Sequence, residues 1–150
     1  MSQSLSKNFI HLIFRTKERR PLLTDDIRDE MHGYLGGVLR NWESPSIIIG
    51  GVEDHVHILF LVSKNHALAK IVEEVKSGSS KWIKTKSTKL INFYWQNGCG
   101  AFSVSQSNVK SVRQYIQKRK EHHDKVSFQD EFGNFVKRHD VDYEERYVWN

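Results

Sequence analysis

The chain has 150 residues, 38% of them hydrophobic and 27% charged, with a formal net charge of +5. That composition fits a single folded domain spanning residues 1–150 rather than a disordered chain. No apolar run approaches the roughly 20 residues that cross a bilayer, so no membrane partner is expected. Cys99 is the sole cysteine, which rules out an intrachain disulfide and a cysteine-built zinc site. The first residues show no signal-peptide pattern, and a reducing cytoplasm is the expected location. Charge is unevenly spread: residues 64–120 carry twelve Lys or Arg against Glu73 and Glu74, a local +10, and the remainder sums to −5. A basic middle between acidic ends suits a polyanion-binding face, although a solvated lysine surface has the same composition. The same stretch holds Trp82, Phe93, Tyr94, Trp95, Phe102 and Tyr115. Bases of a single strand can stack on such rings, whereas a duplex hides its base faces.

In chain order, Asn8 to Phe14 reads as a central strand, apolar on both faces. His11 within it is expected to be a core or sheet-face histidine. Arg15 to Pro21 is a basic loop able to contact phosphate. Thr24 is placed to cap a helix over residues 25–40, with Asp25 and Asp26 in the first turn and Ile27, Met31, Tyr34, Leu35, Val38 and Leu39 at helical spacing. Gly36-Gly37 implies close packing there or a shorter helix. Ile47 to Gly51 and the strand read from Val56 to Val62 predict an antiparallel hairpin. Leu68, Ile71, Val72, Val75, Trp82 and Ile83 mark a second helix over 66–86, with Lys70, Lys76, Lys81, Lys84 and Lys86 on its other faces.

Phe93-Tyr94-Trp95 and Phe102 to Ser105 read as strand, interrupted at Gly98-Cys99-Gly100. Ser107 or Asn108 then caps a third helix that buries Val109, Val112 and Ile116 beside Tyr115. The order β-α-β-β-α-β followed by helices predicts an α+β, ferredoxin-like antiparallel sheet. Its two main helices lie on one face, and a C-terminal helix carries Tyr115.

The chemistry centres on Asp54-His55-Val56-His57. Alternate strand residues share a face, so His55 and His57 point the same way, roughly 7 Å apart at Cα. Both imidazoles can then reach one metal ion. A His-apolar-His pair also arises by chance on a half-exposed sheet face. Tyr115, taken alone, reads as an amphipathic residue at a helix boundary.

Other stretches join this triplet: Tyr34 to Gly37, Ser79 to Ile83, Trp95 to Gly98, Gly100 to Ser105, Tyr115-Ile116, Glu121 to His123 and the Tyr143 to Trp149 ending. In this order they resemble the single-tyrosine HUH transposases of bacterial insertion sequences, over nearly the whole chain. The resemblance implies a DNA transposase that cleaves and rejoins single-stranded DNA at hairpin-marked ends. By that resemblance His55 and His57 hold a divalent ion, Mg2+ or Mn2+, on the scissile phosphate, and Tyr115 is the nucleophile that forms a 5′-phosphotyrosine link. Lys76, Lys81, Lys84, Lys86, Arg113 and Arg119 are the candidates for DNA phosphate contacts. A homodimer is expected, in which the tyrosine helix of one subunit completes the histidine site of the other. The chain departs from the family at Arg119, four residues after Tyr115, where a metal-ligating Gln is typical; a guanidinium has no lone pair to give. His122 or water could then complete the metal sphere, or Arg119 could clamp the phosphate itself. The alternative function is a domesticated or inactive protein that binds hairpin nucleic acid without cutting it.

Overall fold

A computed structural model describes residues 4–118 and Asn134. Four strands form one sheet: β1 (Asn8–Arg15), β2 (Ser46–Gly51), β3 (His55–Val62) and β4 (Gly100–Val104), in the order β2-β3-β1-β4. Every neighbouring pair is antiparallel. Helices α1 (Asp25–Asn41) and α2 (Leu68–Lys84) connect β1 to β2 and β3 to β4, and α3 (Val109–Gln117) follows β4. This is the expected ferredoxin-like α+β arrangement, with the predicted hairpin formed by β2 and β3. Arg119, His122 and His123 lie outside the described residues, as does the Tyr143 to Trp149 ending.

The period-2 alternation of the strands divides the core into two layers. Leu12, Phe14, Val56, Ile58 and Phe60 face Met31, Leu35 and Leu39 of α1 and Ile71, Val75 and Ile83 of α2, all buried. On the opposite face Phe9 and Leu59 meet Ile116 of α3, with Ile48, Leu61, Val104, Val112 and Tyr115 around them. Helix α1 runs uninterrupted through Gly36-Gly37. It meets α2 where Tyr34 stacks on Trp82, ring centroids 4.9 Å apart. Gly78 makes room for this contact, since a Cβ there would lie 3.4 Å from the Tyr34 hydroxyl.

Phe93-Tyr94-Trp95 does not form a strand. Only a single bridge joins Trp95 to Thr16, because the next residues turn away to meet α2. The Lys76 ammonium of α2 donates to the carbonyls of Gln96 (2.6 Å) and Gly98 (2.7 Å) and holds that turn. Trp95 is buried edge-on between Phe14 and Phe93, and its Nε1–H donates to Ser79 Oγ at 2.8 Å. Ser79 in turn donates to the Val75 carbonyl. A buried indole N–H needs such an acceptor, so the small polar Ser79 inside α2 completes the packing of this ring.

Helix α3 approaches the sheet directly over Gly50 of β2. A Cβ at Gly50 would fall 2.8 Å from Ile116 Cγ2 and 2.8 Å from the Ile116 carbonyl oxygen. Only a residue without a side chain permits this approach. Gly50→Ala is expected to destabilise the fold by about 1–3 kcal/mol through overpacking, measured as a lower urea midpoint. Gly50→Ala/Ile116→Ala should recover only part of that loss, because the carbonyl clash persists.

On α1, His32 has its Nε2 buried with no hydrogen-bond partner. Burial, reinforced by Arg28 and opposed by Asp29, pushes its pKa down to about 4. The folded value lies below the unfolded value of about 6.5, so between these pH values the unfolded chain binds more protons. Stability therefore falls as pH drops through that window. A His32→Leu variant, unable to titrate, should lose about 2 kcal/mol less than the parent between pH 7 and pH 4.5 in urea unfolding.

Candidate active site

The site lies on the face of the sheet covered by α3. His55 and His57 both point to it from β3, and both are fully buried. His55 Nδ1 lies 2.7 Å from Asp54 Oδ1. A carboxylate only accepts, so Nδ1 carries a proton, and in the neutral ring Nε2 holds the lone pair. Asp54 is fixed in its turn by its carbonyl, which accepts from the Thr16 backbone N–H at 2.9 Å.

His57 Nδ1 lies 2.9 Å from His11 Nε2. His11 is 2% exposed and stands opposite Leu59 in the β1–β3 register, which places it diagonally across from His57 on the same face. Sequence reading put His11 on a sheet face or in the core without a partner. Its role as the hydrogen-bond partner of a site histidine depends on strand register, which a single strand does not reveal.

Tyr115 stands over these rings. Its ring meets His57 edge-on at 5.8 Å between centroids and His11 at 6.5 Å. The His55 and His57 ring centroids are 5.3 Å apart. The tyrosine of one chain thus lies beside the histidine pair of that same chain. The helix bearing it begins after a 3-10 turn at Gln106–Asn108, and Ile116 against Gly50 sets its height above the sheet.

Arg15, the last residue of β1, pairs directly with His55 in the register. It is 4% exposed, so it belongs to the buried end of the strand rather than to the loop after it. Burial first, and then Arg19, lower its pKa, while Asp54 raises it. An arginine remains charged at neutral pH regardless, so the site holds a fixed cation beside His55.

The Nδ1 atoms of both imidazoles are engaged, by Asp54 and by His11, which leaves Nε2 as the nitrogen through which each ring could meet a divalent ion; for His55, donation of Nδ1–H to a carboxylate is the usual support of a ligating histidine. Among the described residues no group of three His, Cys, Asp or Glu side chains converges to hold a metal. The histidine pair would by itself supply only part of a coordination sphere, and His122, a candidate for the remainder, is outside the described residues.

The basic candidates separate by position. Lys76, Lys81 and Lys84 lie on α2, across the sheet from Tyr115, and Lys86 follows just beyond it. Lys76 is committed to the Gln96 and Gly98 carbonyls, and burial lowers its pKa. Lys84 sits 4.1 Å over the Tyr94 ring and donates to Ser80 Oγ. Lys86 pairs with Glu30 at 3.3 Å. Lys81 and Arg113 are exposed, and Arg113 shares α3 with Tyr115. Arg119 is outside the described residues.

Comparison with known proteins agrees with this fold. Residues 4–119 match the family model described as "Transposase IS200 like". A crystal structure described as a candidate transposase from Deinococcus radiodurans superimposes with a TM-score of 0.62 at 21% identity, covering 79% of this chain and 98% of the other. The structure of a REP-associated tyrosine transposase bound to a REP hairpin superimposes with a TM-score of 0.63 at 15% identity, covering 84% of this chain and 76% of the other. A search of curated proteins gave no significant match. At these identities the structural likeness speaks to fold, and the family model, matched over most of the sequence, establishes that the chain belongs to the IS200-like, single-tyrosine transposase family.

Proposed function

We propose that the protein cleaves and rejoins single-stranded DNA at hairpin-marked element ends, with Tyr115 as nucleophile. The observation that carries this reading is the placement of the Tyr115 ring against His57 and His11, on the face to which His55 also points. In the first step the phenolic oxygen attacks phosphorus and the bond to the 3′ oxygen breaks. The phenol loses its proton and the departing oxygen gains one. A 5′-phosphotyrosine and a free 3′-OH result. In the second step a 3′-OH attacks the same phosphorus, and the tyrosine leaves and is reprotonated. The phosphodiester energy is held in the covalent link, so no nucleotide cofactor is consumed.

A free phenol titrates near pH 10 and is a poor nucleophile at pH 7. The attack therefore needs a group that takes up the phenol proton or stabilises the charge that develops at phosphorus. His55 and His57 would hold Mg2+ or Mn2+, which when bound withdraws charge from the phosphoryl oxygens as a Lewis acid. Asp54 orients the His55 ring and, as an acceptor, keeps its proton on Nδ1 and leaves Nε2 for the ion; His11 holds the His57 ring in place through Nδ1. The hairpin seen with the REP-associated neighbour supports a hairpin partner here, with exposed Lys81 and Arg113 as phosphate contacts.

Labelled hairpin DNA with a single-stranded flank and Mn2+ or Mg2+ is expected to give a covalent protein–DNA adduct, lost in Tyr115→Phe. Cleavage that survives Tyr115→Phe but fails in His55→Ala would instead indicate water as nucleophile. Salt-sensitive hairpin binding with no adduct at all would indicate the non-catalytic alternative, which Arg119 in place of the usual Gln makes a specific possibility.

The expected homodimer has a second test. With Tyr115 over its own chain's histidines, mixed dimers of Tyr115→Phe and His57→Ala subunits should stay inactive. Recovered adduct formation in the mixture would show that the tyrosine acts on its partner's site. His11→Ala, which removes the partner of His57 Nδ1, is expected to weaken metal-dependent activity about 10- to 100-fold, read from the Mn2+ concentration giving half-maximal adduct.

A further inference from the structure

Beside the histidine end of the sheet lies a cavity of about 250 Å3 lined by Lys17, Glu18, Arg20, Leu22, Asn92 and Tyr94. Of the three consecutive aromatic residues, Phe93 is fully buried and Trp95 is 7% exposed, but Tyr94 is 54% exposed. The Lys84 ammonium sits 4.1 Å over the Tyr94 ring, and Tyr94 but not Lys84 lines the cavity. The opposite wall has unusual backbone. Glu18 and Arg19 adopt positive φ values of 60° and 53°, a left-handed conformation that non-glycine residues avoid unless their surroundings impose it.

Here the surroundings do impose it. Lys17 N–H donates to the Tyr94 carbonyl at 2.9 Å, Arg19 N–H to the Thr16 carbonyl at 3.0 Å, and the Thr16 hydroxyl to the Arg20 carbonyl at 2.7 Å. The loop and the exposed tyrosine are therefore one assembly. Thr16 also joins it to the active site, through its N–H on the Asp54 carbonyl, next to His55. A strained, well-braced loop facing an exposed ring near a reactive centre is the pattern expected where a ligand is gripped.

The charges choose the occupant. Lys17 and Arg20 attract a polyanion, but the Glu18 carboxylate opposes entry of a phosphate into the cavity. It accepts readily from the amino group of a base edge, and an aromatic ring stacks any base face. We propose that this cavity is a subsite for one unpaired base of the DNA strand, stacked on Tyr94, with its flanking phosphates on Lys17 and Arg20. The proposal rests on the strand-transfer reading above and adds to it where the unpaired strand next to the cut is held.

The test compares the full chain and its Tyr94 variants on two probes. One is an oligodeoxycytidylate of about 15 nucleotides, a length suited to single-strand sites; the other is an abasic strand with the same number of phosphates. Tyr94→Leu is expected to weaken binding of the deoxycytidylate about 5- to 100-fold and to leave abasic binding unchanged, while Tyr94→Phe keeps the parent's preference. Tyr94 is half exposed, so Tyr94→Leu should keep the parent's urea midpoint. Equal binding by parent and Tyr94→Leu, or equal losses on both probes, would overturn the subsite. A parent protein that forms the Tyr115 adduct but shows either of those results leaves strand transfer standing and removes the subsite alone. A parent that binds neither probe and forms no adduct removes both.

Discussion

The seat of Ile116 on the bare backbone of Gly50 sets the distance between a helix and a sheet, and the candidate chemistry depends on that distance. Helix α3 spans Val109–Gln117, too short to be stable alone in water. Tertiary contact must hold it, and the contact is concentrated where Ile116 meets Gly50, Phe9 and Leu59. Tyr115 is the next residue along, so the same contact that stabilises the helix delivers the phenol to the imidazoles. Fold stability and the placement of the proposed nucleophile are thus coupled at one point, and a methyl group at Gly50 would perturb both.

The sheet separates two kinds of work. The face under α1 and α2 is a conventional apolar core, whereas the face under α3 mixes apolar anchors with three histidines and Arg15. Most lysines singled out on α2 stand on the apolar-core side, away from Tyr115. Several already have partners: Lys76 in the Gln96–Gly98 turn, Lys84 on Tyr94, Lys86 on Glu30. The basic middle of the sequence is therefore partly structural. At the histidine end of the sheet, the Thr16 N–H bonds the Asp54 carbonyl and the Lys17 N–H bonds the Tyr94 carbonyl.

Sequence patterning was most informative where a single period decides the outcome. The alternation in β3 placed His55 and His57 on one face and Val56, Ile58 and Phe60 on the other, and both helical stripes were visible from their spacing. What it could not reveal depends on contacts between distant segments. His11 became a partner of His57 only through the register of β1 on β3. Phe93-Tyr94-Trp95 has strand composition but makes only one bridge, since Lys76 captures the following turn and Ser79 captures the Trp95 indole. The role proposed for Tyr115 came from family resemblance, because an amphipathic tyrosine on a short helix has an ordinary packing explanation. The structure adds the position of its ring, beside those of His57 and His11.

The central claim names one atom, the phenolic oxygen of Tyr115, as the bearer of the transferred phosphate. Peptide mass spectrometry on a trapped and nuclease-trimmed protein–DNA adduct reads this directly. The account predicts a nucleotide 5′-phosphate on the peptide containing Tyr115. A modified peptide containing Tyr143 or Tyr147 instead, with Tyr115 unmodified, would contradict it.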